Sequence, residues 1–356
     1  MMPIMELLPG NVTYYKANLH CHTTLSDGKL TPARMKELYK GRGYQVVAFT
    51  DHRRYANHAE LNDPDFLAIA AMESDTNEFG DYRFSYDRIR TYHINWYDTD
   101  PESHKEEKAA LELPKQRYHD VDYLNGYVGK MKELGFLACF NHPYWSLQNY
   151  EDYKGLRGFW AMEMYNHGCE VEGEYGYNPQ AYDEMLRSGQ RLFTVATDDN
   201  HNVFPPEDAM CDSFGGAVMI GAGELSYQAV MEALKKGHFY SRISPDGQGE
   251  APRIEQLYIE DGHLVVRCSP ASRIWVKTMG RGCYKAAAAP GGTIGEVQFA
   301  LQGKEGYIRV SVRDDHGRLA ESNAYFLDEI SRPLQGPGAG TALEAATGPG
   351  TRDTVS

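Results

Sequence analysis

Residues 14–52 read YYKANLHCHTTLSDGKLTPARMKELYKGRGYQVVAFTDH. An apolar run starting at Tyr14 ends in His20-Cys21-His22, with Ser26-Asp27-Gly28 just beyond. Thr31-Pro32 then opens a helical pattern over residues 31–42, Thr31 as the N-cap and Pro32 as the first helical residue. A second apolar run from Gln45 closes on Thr50-Asp51-His52. Strand, polar cluster, helix, strand, polar cluster is the rhythm of a parallel β/α fold, whose apolar strands are buried beneath covering helices.

The rhythm continues outward. Apolar runs at Phe66–Glu73, Arg90–Trp96, Phe136–His142, Phe159–Tyr165 and Arg191–Thr197 bring the candidate strands to seven. Helical patterns over Asp120–Leu134 and Pro179–Gly189 each run into a glycine. The interval between Glu73 and His93 is too polar for an obvious crossover helix, so an irregular step is expected there, and residues 97–119 carry enough charge to predict an inserted surface loop or helix. After Gly237 the pattern changes. Short alternating runs (IEQLYI, LVVRC, RIWVKT, YIRVSVRD, NAYFL) separated by Gly, Asp or Pro predict a small antiparallel β-sandwich. Beyond Asp328 the chain is rich in Gly, Ala and Pro, which predicts a disordered tail. The expected division is a β/α barrel over 1–245, a β-sandwich module over 246–330 and a tail over 331–356.

With about 150 residues per domain as a guide, 356 residues suit roughly two domains. At 42% hydrophobic and 24% charged, the chain can bury a core. A net charge of −14 argues against holding nucleic acid on a broad cationic face, although a nuclease whose positive charge arrives as metal is compatible with it. The N-terminus has no signal-peptide pattern and no stretch approaches about 18 apolar residues, so no membrane partner is expected. Six scattered cysteines without a CxxC pair read as reduced thiols of a cytoplasmic protein. Oligomeric state leaves no signature.

Chemistry-bearing residues gather at the strand ends: His20, His22 and Asp27, then His52, Glu73, His93, His142, and finally Asp198, Asp199 and His201. This is where a β/α barrel places its active site. Alternate residues of a strand point the same way, so His20 and His22 can face one ion. Imidazoles mixed with carboxylates suit zinc, manganese or iron better than calcium or magnesium. Such a set exceeds the needs of one ion; two or three divalent ions are expected, with Glu73 bridging. Three such ions, set against Asp27, Glu73, Asp199 and one hydroxide, leave about two positive charges to meet a phosphate dianion. Each residue alone has an ordinary structural reading, as a turn, an Asx cap or a satisfied core histidine. Their joint placement at six strand ends outweighs those readings.

The series His20-x-His22, Ser26-Asp27-Gly28, Thr50-Asp51-His52, Glu73, His93, Asn141-His142-Pro143 and Asp199-x-His201 resembles the PHP family, named for polymerase and histidinol phosphatase domains, over about residues 12–240. The resemblance implies a distorted seven-stranded (β/α)7 barrel with a trinuclear metal site. His20, His22, Glu73 and Asp199 would hold one ion, Glu73, His93 and His142 a second, and Asp27, His52 and His201 a third. It also implies that the C-terminal module is one appended in a branch of stand-alone phosphoesterases and related hydrolases. Two departures stand out. Arg53 and Arg54 follow His52, where the family often has Asn and a small residue, and the doubled Asp198-Asp199 leaves the ligand ambiguous, with D-x-H spacing favouring Asp199.

The expected activity is metal-dependent hydrolysis of small phosphoesters, a metal-bridging hydroxide attacking phosphorus. Arg53 or Arg54 would stabilise the equatorial oxygens, and His167 would protonate the leaving group. Arg242 would also reach the mouth, and Tyr144, Trp145, Tyr165, Tyr175 and Tyr177 would wall a pocket. Two alternatives keep the metals: an amide, carbamate or ester hydrolase, and an exonuclease or oligonucleotide phosphodiesterase. A non-catalytic binding module is disfavoured by the intact ligand set.

Overall fold

The computed structural model describes residues 4–78 and 88–330; the segment read as a tail, 331–356, lies outside the described residues. The strands are β1 (Met5–Glu6), β2 (Thr13–Asn18), β3 (Val46–Phe49), β4 (Leu67–Asn77), β5 (Thr91–Asp98), β6 (Phe136–Phe140), β7 (Ala161–Asn166), β8 (Phe193–Thr197), β9 (Gly216–Ala222) and β10 (Phe239–Ile243). The C-terminal part adds β11 (Ile254–Glu260), β12 (His263–Ala271), β13 (Arg273–Thr278), β14 (Cys283–Ala287), β15 (Ile294–Ala300), β16 (Tyr307–Arg313), β17 (Leu319–Ser322) and β18 (Tyr325–Phe326). The fold is mixed α/β, with one large mixed sheet and one four-stranded antiparallel sheet.

Strands β2 to β8 are the seven read from the sequence. Pairing is parallel through β2-β3-β4 and again through β6-β7-β8. Strand β5 departs from the expected parallel order and runs antiparallel to both β4 and β6. The polar stretch before it lacks the apolar stripe a crossover helix would bury, and an antiparallel return needs no crossover. At one end the run of strands meets itself: Cys21 and Asn200 bridge, His22 N–H donates to Asn200 O at 3.1 Å, and Asp199 N–H donates to His20 O at 3.0 Å. That end is the mouth.

Side chains in the arc sort by the two-residue period of a strand. Val46, Ala48, Ile69, Ala71, Tyr97, Cys139, Ala161 and Val195 share one buried apolar cluster. Val47, Phe49 and Ala68 pack in another with Met35 and Tyr39 of the helix Pro32–Lys40. That helix starts as expected, Thr31 Oγ1 accepting from Arg34 N–H at 3.3 Å. Extending the first cluster's parity towards the mouth reaches His52, Glu73, His93, Asn141, Glu163 and Asp199.

Two strands escape the sequence reading. β9 pairs antiparallel with β2, and β10 pairs with β9. Gly216 allows this approach, since a Cβ there would lie 2.2 Å from Thr197 O. β10 then pairs with β17, and β16, β13 and β14 follow, so the large sheet runs on across residue 245. β1, β11, β12 and β15 make the second sheet. Its Leu257, Leu264 and Val266 share a core with Ile274, Val276, Val310 and Val312 of the large sheet. Within 97–119, a short helix (Lys105–Ala109) is anchored by buried Lys108, whose Nζ lies 2.8 Å from buried Asp98 Oδ1. Among the described residues no helix is long and apolar enough to cross a membrane.

Candidate metal centre

Glu73 lies at the centre of the mouth, fully buried. Its carboxylate oxygens are 3.4 Å from His20 Nε2, 3.5 Å from His22 Nε2, 2.8 Å from His52 Nδ1, 3.0 Å from His93 Nδ1 and 3.7 Å from His142 Nε2. Asp199 adds contacts of 3.0 Å to His20 Nε2, 2.9 Å to His22 Nε2 and 3.6 Å to His142 Nε2. On the outer side Asp27 faces His22 Nδ1 at 3.8 Å, His52 Nε2 at 3.5 Å and His201 Nε2 at 3.4 Å. Among the described residues four overlapping sets could hold an ion: His22-Asp27-His52-His201, His20-His22-Glu73, His20-His142-Asp199 and His52-Glu73-His93. They draw on nine of the ten candidate ligands.

The donor set fits divalent cations. Two atoms bound to one ion at about 2.1 Å in tetrahedral geometry sit about 3.4 Å apart, a value that the spacings here, from 2.8 Å to 3.8 Å, bracket. His20 Nδ1 is 2.9 Å from Glu163 Oε1, so its proton belongs there and Nε2 presents a lone pair towards His22 Nε2, 3.2 Å away. His201 Nδ1 is likewise placed to donate to Asp199 O at 3.0 Å, which frees Nε2. His22 Nδ1 is buried without a hydrogen-bond partner and points at Asp27. Converging acceptors need a cation between them.

Electrostatics agree. Burial pulls the His20 ring towards neutrality, but Asp199, Glu73 and Glu163 together hold its pKa well above the usual range. Burial opposes Asp27 and Asp199 at His201 too, and the carboxylates prevail, lifting it to about 9. His22, buried and beside His201 and His52, is pushed down to about 4. Glu73 and Asp199 lie far below the ordinary carboxylate range: the surrounding imidazoles outweigh burial. The carboxylates thus stay ionised and draw protons onto His20 and His201, protons that metal binding would release.

The residues around the ligands are equally ordered. Glu163 was not among the residues read from the sequence, yet it accepts from His20, from His142 N–H at 3.2 Å, from Asn166 Nδ2 at 2.8 Å and from Thr197 Oγ1. Its signal was a lone carboxylate at the inward parity of an apolar strand. Asn141 Nδ2 donates to Glu73 Oε1 at 2.9 Å, and Ser146 Oγ lies 3.1 Å from His142 Nδ1. Asp51 accepts from Thr23 N–H, Thr23 Oγ1 and Ser26 Oγ at 2.7–2.8 Å, tying down the loop that carries Asp27. Gly28 closes the same loop, where a Cβ would stand 2.4 Å from His22 O. His142 and Asp199 hold positive φ (20° and 53°), backbone strain of the kind that gathers at functional sites.

Several expectations are corrected. Asp198 stays outside the cluster: its carboxylate accepts from Tyr39 OH, Phe214 N–H and Gly216 N–H at 2.7–2.8 Å, and burial lifts it to about 7. Arg53, at φ 54°, turns away, donating to Asp75 Oδ1 at 2.5 Å and to Leu113 O at 2.8 Å. Arg54 is exposed and, like Arg53, does not line the cavity above the cluster. His167 is buried beneath Gly215, with Nδ1 2.9 Å from Tyr165 OH, and its ring is pushed down to about 4 by burial. Arg242 is tied to Ala251 O, Pro252 O and Glu250. Of the five aromatic residues proposed as walls, Trp145 lines the cavity, whereas Tyr177 donates to Glu321 at 2.8 Å.

The cavity has a volume of about 560 Å³. Among the described residues lining it, Lys29 is the one Lys or Arg; its Nζ lies 3.2 Å from Asp27 O. Neither a protein-family model nor a curated protein matches this sequence. Solved structures do. A two-domain protein from Bacteroides vulgatus ATCC 8482, described as containing a predicted PHP-like metal-dependent phosphoesterase, is 15% identical with a TM-score of 0.45, covering 90% of this chain and 98% of its own. PHP-like proteins are among the structural neighbours of this chain. An amidohydrolase from Chromobacterium violaceum, solved with bound sulfate and no metal, is 16% identical with a TM-score of 0.33, covering 52% of this chain and 87% of its own.

Proposed function

We propose that the chain is a metal-dependent hydrolase of small phosphoesters, with two or three zinc, manganese or iron ions at the mouth of a distorted seven-stranded β/α arc. The observation that carries this reading is Glu73, buried and ringed by five imidazoles within 3.7 Å. The ligands are His20, His22, Asp27, His52, Glu73, His93, His142, Asp199 and His201. Bound there, the ions supply Lewis acidity towards a phosphoryl oxygen and acidify water to near neutral pH. The chain does the rest. Glu163 keeps the His20 proton on Nδ1, and Ser146 and Asn141 fix His142 and Glu73, so the ligands meet substrate already aligned. Among the described residues Lys29, rather than Arg53 or Arg54, is the side-chain cation on the cavity wall, and it would meet a phosphoryl oxygen there.

The test is turnover by protein purified with Mn²⁺ on p-nitrophenyl phosphate, bis-p-nitrophenyl phosphate and p-nitrophenyl acetate. The expected result is cleavage of a phosphate ester, abolished by His20→Ala in a protein that remains folded. Cleavage of the acetate alone would assign the carbonyl hydrolase reading instead. No turnover on any of the three, with metal bound, contradicts a hydrolase.

A further inference from the structure

Beside the candidate ligands the cavity lining turns apolar. Val203, Phe204 and Met210 line it while remaining 61%, 43% and 43% exposed. Apolar side chains left in water beside a charged centre mark a binding surface. The loop that carries them is pinned rather than loose. Asp212 accepts from His201 N–H at 2.7 Å and from Asn202 N–H at 3.0 Å, and Asn202 Nδ2 donates to Ser213 Oγ at 2.8 Å. Further along, Met210 N–H donates to Asp208 Oδ1 at 2.8 Å. In the same cavity, Trp145 is fixed by its Nε1–H, which donates to Glu172 Oε2 at 2.6 Å. Its indole meets His142 and His93 at 5.2 Å and 5.7 Å between ring centroids. An aromatic wall thus stands directly against two metal ligands. Charge in the cavity is equally selective. Among the described residues one lysine, Lys29, shares the lining with Glu172 and Asp212, so a single phosphoryl group suits it and further phosphates meet carboxylates.

We propose that the substrate is the phosphate monoester of an apolar, ring-bearing alcohol, its phosphoryl group at the ligand cluster and its ring between Trp145 and the Val203–Met210 loop. This rests on the phosphoesterase reading and narrows it, setting nucleotides with several phosphates and sugar phosphates aside.

The test is calorimetric titration of Mn²⁺-loaded protein with two non-hydrolysable monoester mimics, phenylphosphonate and methylphosphonate. Phenylphosphonate is expected to bind about tenfold tighter, because its ring leaves water on binding. In the double variant Phe204→Ser, Met210→Ser that ratio should fall to about threefold or less, at unchanged metal content by elemental analysis. Equal affinities in the native protein, or a ratio that survives in the variant, overturn the proposal. Binding of neither phosphonate by metal-loaded protein contradicts the phosphoesterase reading itself, and the proposal with it.

Discussion

Where the helix Pro179–Arg187 meets the outer strands of the large sheet, Arg309 lies almost wholly buried between Asp183, 2.8 Å away, and Glu321, 3.2 Å away. Tyr307, Ser311 and Tyr177 donate to the same carboxylates. At the mouth Glu73 and Asp199 are just as deeply packed, but they face imidazoles rather than a guanidinium. Both clusters bury carboxylates. In one the compensating cation is a permanent part of the chain; in the other the chain supplies lone pairs and leaves the positive charge to come from outside. Buried ionic groups by themselves therefore do not indicate a functional site. What distinguishes a site is a charge balance that the chain does not complete.

The sharpest way to break that comparison is to remove the internal cation. Arg309→Met leaves half-buried Asp183 without its guanidinium and buried Glu321 with Lys277 Nζ, 3.7 Å away, as its remaining cation, and should lower unfolding free energy by about 3–5 kcal/mol in denaturant titrations. Its metal content should stay that of the native protein; a loss of metal would mean the two clusters are not independent.

His167 sharpens the contrast from a third position, a buried imidazole held neutral. Its pKa is pushed from the usual 6.5 down to about 4 by burial. Between those values the unfolded chain takes up a proton that the folded chain refuses, so stability falls as pH drops through that window and is flat above it. The loss amounts to about 3 kcal/mol at most. His167→Gln should remove this slope relative to the native protein when denaturation midpoints are compared from pH 7 to pH 4.5. An unchanged slope would show that His167 is not its source.

The smallest expected effect concerns the outer shell of the mouth. Glu163→Gln keeps the volume and weakens the hold on His20 Nδ1–H, so Mn²⁺ affinity by competition with a chelator should fall about 10–100-fold. An unaltered affinity would reduce Glu163 to a packing residue.

Much of this was legible in the sequence, for a physical reason. A strand's period of two carries an apolar run directly into its last residues, so Ala48 leads to His52, Ile69 and Ala71 to Glu73, and Val195 to Asp199. The same rule, applied to Ala161, would have found Glu163. What escaped depends on chain reversals that local pattern does not encode. The antiparallel run of β5, and the return of β9 alongside β2 with β10 beyond it, are set by tertiary pairing. Arg53 read as a site cation because it follows His52, but a left-handed residue there sends its side chain towards Asp75. Asp198 and Asp199 are adjacent carboxylates just past the end of β8, and the left-handed backbone at Asp199 leaves one facing Tyr39 and the other the imidazoles.

The central claim is that the mouth, unlike the Arg309 cluster, takes its positive charge from solution. Elemental analysis after loading with Mn²⁺ or Zn²⁺ and desalting tests it directly, on the native protein and on His20→Ala. The account predicts two or three equivalents per chain, falling by at least one in the variant. Less than one equivalent in the native protein, or a content that His20→Ala leaves unchanged, would contradict it.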